Sequence, residues 1–304
     1  SITTTTTILK GILMNTNIET MMDTVRSAFN FEVVKMPLSG SDNMYTPWYG
    51  LFRDDTCEYI GSGSVTERYH PHTSDDVVAL VEAASNIFED AVDLKCHFRD
   101  GHYVSVAPTN DYRKSVYGTE DNVFPRVMIS AGLDGRAFQA TMGYHRDLCD
   151  NLAMLTTVSG TSVSIRHTRS LRSKMNDLIA TFGKLNDGWT NLTNVIDEME
   201  SREVVLSDFM TAIYGEPEED SQRSETIHRN RTEAIVRRVM RERWQSGRPA
   251  IQDFKVSAWE AYNAIQGYSQ HEASRRGGAS GFDRVLLASR DQHVQKAERL
   301  AIAA

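Results

Sequence analysis

Positively charged side chains follow one another through one part of the chain: Arg126, Arg136, Arg146, Arg166, His167, Arg169, Arg172 and Lys174. A guanidinium presents a planar fork of donors that suits phosphate oxygens, and several in one groove hold a polyanion by charge. Tyr112, Tyr117, Phe138 and Tyr144 lie in the same stretch and offer rings on which bases can stack, as in sequence-tolerant single-strand binders. The competing expectation is that these arginines are solvated, or paired with neighbours such as Asp147 and Asp150. His167 has two readings of its own. It can touch phosphate, or the His167–Thr168 pair can begin a helix with Thr168 as its N-cap.

A second concentration of arginine is HRNRTEAIVRRVMRERWQSGR, residues 228–248. Ile235, Val236, Val239, Met240 and Trp244 form a narrow apolar stripe, and Arg237, Arg238, Arg241 and Arg243 cover the other faces. Such a helix can contact DNA, an anionic surface or a partner helix. It can equally be neutralised within the chain by the acidic segment Glu216–Asp220 just before it.

Other chemistry has weaker support. His145 and Cys149, one helical turn apart, would share a helix face, and His70 and His72 bracket a proline. A zinc site needs three or four ligands, however, and no complete set can be named, so no metal and no cofactor is expected. Cys149, set among leucines, reads as a small buried hydrophobe. No GxSxG, HExxH or phosphate-loop pattern occurs. Gly61–Ser64 lacks the lysine of a phosphate loop and reads as a turn. No catalytic residue is assigned, and a non-enzyme is expected.

The 304 residues suffice for one large domain or two smaller ones, and 40% hydrophobic with 24% charged residues is ordinary globular composition. No run reaches the roughly 18–20 apolar residues of a membrane span. Three scattered cysteines without a CxxC argue for a reducing compartment, hence a cytoplasmic location. The net charge of −8 counts against a general polyanion binder, so a nucleic-acid site must concentrate its positive charge locally.

These residues must be positioned by an α+β fold, with an antiparallel sheet built from hairpins, packed helices, and a largely helical C-terminal half. The expected divisions are a tail with first elements over 1–44, a core over 45–214, an acidic linker over 215–222 and a helical region over 223–304. A short helix near Glu19–Phe29 and a strand near Phe31–Met36 come first. The aromatic alternation around Asp54–Asp55 marks a hairpin. Ser74 followed by two acids starts a helix over 75–93 carrying Val77, Leu80, Val81, Ala84, Phe88 and Val92. Asp100–Gly101 and Asp134–Gly135 turn two further hairpins. A polar loop spans Pro108–Asn122, a helix starts near Tyr144, and a short strand runs over Ser162–Arg166. Helices are expected over 169–182, 189–200, 207–214, 224–246, 256–274 and 283–302, with a glycine-rich break at 275–281.

The segments RDDTCEYIGSGSVTERYHP, ISAGLDGRAFQATMGYHRDLCDNLAM, SIRHTRSLRSKM and SAWEAYNAIQGYSQHEASRRG resemble the phage/plasmid-like proteins grouped as domain of unknown function 932. The resemblance covers most of residues 45–275. It implies an Asp-Gly hairpin at Asp134–Gly135, a helix carrying Arg146, Cys149 and Asn151, and an Arg166–His167–Thr168 segment. It also implies a mobile-element setting, in an infected or plasmid-bearing bacterial host, but carries over no activity. The hairpin–helix order has in addition a fold-level likeness to ring-forming single-strand annealing proteins. The expectation is therefore an oligomeric, ring-capable protein that binds single-stranded DNA in recombination or replication without hydrolysing nucleotides. The alternative is a protein-interaction factor, such as an inhibitor of host defence or restriction, or a structural assembly protein.

Overall fold

In the computed structural model, residues 19–303 are described except 61–62, 88–90, 99–100, 109–111, 134–136, 150, 156–157, 159–161, 167, 170, 172, 175, 178–182 and 274–281. The α+β class holds, and the C-terminal part is largely helical. The chain forms two interleaved units. Residues 1–112, 126–142 and 162–187 belong to the first, and 113–125, 143–161 and 188–304 to the second. The segment 215–222 lies in the second unit, between two of its helices.

The first unit begins with a helix over residues 19–28 (α1) and the three-stranded antiparallel sheet β1 (Val33–Ser39), β2 (Tyr45–Arg53) and β3 (Val65–Thr66). Alternation along β2 sorts the two faces. Tyr49 and Leu51 point to a core of Phe31, Leu51, Ile60, Val65, Tyr69 and Leu133, on which Val33 also packs. Trp48, Gly50 and Phe52 must then point the other way. The expected turn at Asp54–Asp55 is present, and the chain returns so that Tyr59 bridges Phe52.

Helix α2 (Ser74–Ile87) buries Val77, Leu80, Val81 and Ala84, as the spacing predicts. Its start differs from the expected Ser74 cap. Thr73 and Asp76 form the reciprocal pair, with Asp76 N–H donating to Thr73 Oγ1 (3.3 Å) and Thr73 N–H donating to Asp76 Oδ2 (2.8 Å). The Ser74 hydroxyl donates instead to the carbonyl of Phe29. The expected helix is also too long. Val92 lies in strand β4 (Ala91–Phe98), whose pairing with β5 (Gly101–Pro108) outweighs the continued helical spacing, and Phe88 lies outside the described residues.

The two later hairpins are present as neighbouring strands, β4 with β5 and β7 (Asn122–Gly132) with β8 (Phe138–Arg146), in the order β10-β8-β7-β5-β4. The Asp134–Gly135 turn and residue Asp100 lie outside the described residues. Strand β10 (Ser162–Ile165) lies where a short strand is expected and pairs with β8.

In the second unit the polar loop holds a short strand, β6 (Lys114–Ser115), paired with the start of β7. The helix expected from Tyr144 is not formed. Residues to Arg146 continue β8, the chain turns at 147–149, and β9 (Asn151–Met154) pairs back with Arg146↔Asn151 and Gly143↔Met154. Leu148, Leu152 and Leu155 match a helical period, but ladder bonds to a strand already in place win over so short a run. His145 and Cys149 therefore share no helix face, and the geometric case for them as joint ligands falls.

The remaining elements are α3 (Gly183–Ser201), β11 (Glu203–Val205), α4 (Leu206–Tyr214), α5 (Gln222–Gln245), β12 (Lys255–Ser257), α6 (Ala258–Gly267), α7 (Phe282–Ser289) and α8 (Gln292–Ala303). The helix expected over 256–274 is cut at both ends, first by β12 pairing with β11 and then by a π-helical turn at Tyr268–Glu272. The one expected over 283–302 breaks before Asp291, whose carboxylate accepts the His293 backbone N–H (2.9 Å) and the Ser269 hydroxyl (2.7 Å). Every residue of α6 is buried, so its polar members need partners inside the protein.

Candidate nucleic-acid interface

The arginines singled out by sequence separate into buried and exposed groups. Arg146, at the end of β8, is 2% exposed and enclosed by carboxylates. Its Nε and Nη2 donate to Asp121 Oδ1 (3.0 Å) and Oδ2 (2.6 Å), and Nη1 donates to Glu242 Oε2 (2.5 Å). Asp121 comes from the polar loop and Glu242 from α5. Burial alone would pull the guanidinium down, but Glu242 and Asp121 outweigh it and hold the pKa well above its usual value.

Arg238 extends the network. It reaches Glu242 Oε1 (3.5 Å) and donates through Nε and Nη2 to Glu272 Oε1 (3.1 and 2.8 Å). Beside it Asn151 donates to the Asn263 carbonyl (3.2 Å), and its Oδ1 lies 3.1 Å from His271 Nε2. Tyr144 donates to Asn263 Oδ1 (2.8 Å), and Gln266 donates to the Leu152 carbonyl (3.2 Å) and to Gln270 Oε1 (2.8 Å). The result is an internal brace. Its guanidinium donors face the protein's own carboxylates, so Arg146 is not a phosphate ligand in this arrangement.

The rest of the arginine-rich helix behaves similarly on its inner side. Arg243 forms a fork onto Glu260 (2.6 and 2.9 Å), which also accepts Arg248 (2.5 Å) and the Ser257 N–H (2.9 Å). Burial pushes the Glu260 carboxyl up, but the Arg243 and Ser257 hydrogen bonds and the Arg248 charge hold it below its usual value. Neutralisation within the chain is thus achieved by Glu242, Glu260 and Glu272, and not by the acidic segment expected to do so. The expected apolar stripe divides too. Ile235 and Val239 are buried, whereas Met240 (53%) and Trp244 (81%) stand exposed with Arg237 and Arg241.

The expected stacking rings are mostly occupied. Phe138 and Tyr144 are fully buried, and Arg248 lies over the Tyr117 ring at 3.5 Å while the Tyr117 hydroxyl bonds Ser257. Tyr112 is half-buried. Cys149 is only partly buried, and its Sγ lies 3.7 Å from Arg146 Nη1, so it is not simply a small hydrophobe in the core. Burial raises its thiol to about 12, so it stays protonated at neutral pH. With Cys57 exposed and free, alkylation at pH 8 followed by mass spectrometry is expected to mark Cys57 within minutes. Cys149, partly buried and with a raised thiol pKa, should react much more slowly than Cys57, and equal labelling of both in the folded protein would refute this.

Among the sequence candidates, Arg166, Arg169 and Lys174 are exposed, Arg126 is buried, and Arg136, His167 and Arg172 lie outside the described residues. A cleft of about 370 Å³ in the first unit is lined by Glu67, Arg68, Thr168 and Arg169. Arg68 was not among the sequence candidates. Its position in TERYHP, just after the short strand β3, was the available signal. No carboxylate of the described residues forms a salt bridge with Arg68, Arg166, Arg169 or Lys174. No group of three or more metal-ligating side chains occurs among the described residues, and no described helix is long and apolar enough to cross a membrane.

The strand–turn–strand bearing Arg146, Cys149 and Asn151, and the buried α6 that meets it, fall within a family-model match covering residues 62–301. The chain belongs to the family described as Domain of unknown function (DUF932). No curated protein and no solved structure matches it. In this DUF932 chain, the family-like Arg–Cys–Asn segment supplies the internal brace, while the Arg166–Thr168 segment leads to the open cleft.

Proposed function

We propose that the protein binds nucleic acid through its first unit, with the cleft at Arg68 and Arg169 as the phosphate-holding element. The observation that carries the reading is two arginines and a threonine opening to solvent in one cleft that also holds Glu67, with Arg166 and Lys174 exposed nearby in sequence. Phosphate affinity follows the local field, so a chain of net charge −8 can still present such a site. The mobile-element resemblance favours a role in recombination or replication. Strand annealing by an oligomer fits that role, because base pairing supplies its driving force and no nucleotide need be hydrolysed.

The test is fluorescence anisotropy of a labelled single-stranded oligonucleotide across several salt concentrations. The wild-type protein is expected to bind with a negative salt dependence. The Arg68→Ala/Arg169→Ala double variant should bind far more weakly. Its slope of log K against log salt should flatten by about 0.7 for each phosphate that it no longer neutralises. Absence of binding at low salt would sink the reading. A second reading, docking of a protein partner, draws on exposed Met240 and Trp244 on α5. It predicts that Met240→Ser/Trp244→Ser abolishes capture of that partner while Arg68→Ala/Arg169→Ala leaves it intact.

A further inference from the structure

Opposite charges stand at two separate places along α5. Glu216, Glu218, Glu219 and Asp220 are exposed just before its first turn, and Arg229, Arg237 and Arg241 are exposed farther along it. None of these side chains forms an ion pair with a described residue. Within one chain the acids cannot reach Arg237 or Arg241. The helix runs unbroken over 24 residues, so its N-cap Ser221 and Arg241 are separated by roughly 30 Å. The Glu218 N–H donates to the Ser224 hydroxyl (2.9 Å), and the Ser221 N–H to the Glu218 carbonyl (3.3 Å), which ties the acidic segment to the first turn. Neutralisation of these arginines by that segment is therefore blocked in a single copy.

The far end of the helix also carries apolar surface. Met240 and Trp244 stand out at helical spacing from Arg237 and Arg241, while Ile235, Arg238, Val239 and Glu242 face inward. The helix dipole accounts for charges in the first and last turns only. Arg229 and Arg237 lie outside both, and the dipole gives no reason for an exposed tryptophan. Tryptophan beside arginine is the composition of an interface anchor, and it fits a partner that offers acids next to an apolar contact. The acidic segment at the other end of the same helix offers both, because Pro217 lies among its carboxylates. A surface that holds both complementary halves pairs with its own copy about a two-fold axis, so each contact is made twice. In an antiparallel pair of α5 helices, setting Arg229 against Glu233 of the second copy brings Arg241 to the acidic segment and Trp244 to Pro217 of that copy. Glu233 is the one acid between Arg229 and Arg241, and it too is exposed.

We infer that α5 is a self-docking surface, on which two copies of the chain pair antiparallel with the acidic segment of each against Arg237, Arg241 and Trp244 of the other. The inference gives the α5 docking reading its occupant. It does not depend on the nucleic-acid reading of the first unit, so the two fail separately.

A dimer resting on one helix pair is expected to dissociate in roughly the micromolar range. Sedimentation velocity of the full chain across that range, at low salt and without nucleic acid, reads it. Arg237→Glu/Arg241→Glu makes both halves of the surface acidic, and Glu218→Lys/Glu219→Lys/Asp220→Lys makes both basic. Each variant alone should dimerise about tenfold or more weakly than wild type. Mixed in equal amounts, the two should form a heterodimer of about wild-type strength, since every acidic half then meets a basic one. A chain carrying all five changes should dimerise with itself again. Trp244→Ala should weaken the dimer by about tenfold. Thermal melts establish that the variants, all altered at exposed positions, are folded. Wild type that stays monomeric throughout overturns the inference, as does a dimer that neither charge reversal weakens. Reversed variants that remain monomeric when mixed overturn it too, because only a second copy restores the complementarity. If wild type is monomeric and Arg237→Glu/Arg241→Glu lowers its binding of oligo-dT, the face belongs to nucleic acid and the self-docking inference falls.

Discussion

Arg146→Ala is expected to destabilise the protein by about 3–5 kcal/mol, because it strips the counter-charge from two carboxylates that cannot reach water. Asp121 is 1% exposed and Glu242 4%. With the guanidinium gone, Asp121 loses both members of its fork, and Glu242 keeps only the long 3.5 Å approach of Arg238. The unpaired charges must then stay buried at high cost or take up protons. Arg146→Lys should recover only part of the stability, since an ammonium restores one charge but cannot span Asp121 and Glu242 with a rigid fork. Urea unfolding followed by circular dichroism reads the effect, with Arg166→Ala as the exposed control expected within about 0.5 kcal/mol of wild type. If Arg146→Ala unfolds at the same urea concentration as Arg166→Ala, the brace contributes nothing to stability.

Arg146 and Arg166 separate what is local in the sequence from what is not. Period-two alternation and Asp-Gly spacing placed the hairpin strands, and the helical period placed α2, α4 and α5, because each signal is local. The fate of an arginine is not local. Arg146 and Arg166 look alike in sequence, yet one meets Asp121 and Glu242, separated from it by 25 and 96 residues, while the other meets solvent. The same holds for Tyr144, whose partner Asn263 lies 119 residues away. At Asp147–Cys149 three leucines at helical spacing hide a strand reversal that only the ladder from β8 explains. The aromatic face of β2 was visible as alternation. Which of its two faces the core would cover depended on Leu133, far along the chain. For α5 the basic-amphipathic reading found the right residues and the wrong neutralising acids, since Glu260 and Glu272 come from the elements that pack on it later.

Gly267→Ala is the second substitution with a large expected effect, and its sign runs against helix propensity. A glycine-to-alanine change inside a helix ordinarily gains about 0.5–1 kcal/mol through the unfolded chain. Here the new methyl would lie 2.7 Å from Arg238 Nη1, 2.9 Å from Arg238 Cζ and 2.9 Å from Asn151 Oδ1. A free arginine would swing aside at little cost. Arg238 is held by Glu272 at 2.8 and 3.1 Å, and Asn151 is held by the Asn263 carbonyl and His271, so neither neighbour can yield without breaking a buried hydrogen bond. A net destabilisation of about 1–3 kcal/mol is expected, the usual cost of overpacking a fixed site. Gly63→Ala, where an added Cβ meets nothing within 4 Å, is the matched control. The decisive measurement is a double-mutant cycle with Arg238→Ala, in which removing the guanidinium makes room for the methyl. The double variant should be less destabilised than the sum of the single changes by at least about 1 kcal/mol. Strict additivity would mean that the methyl is accommodated elsewhere, and that the tight approach of Arg238 to Gly267 plays no part in holding α5 against α6.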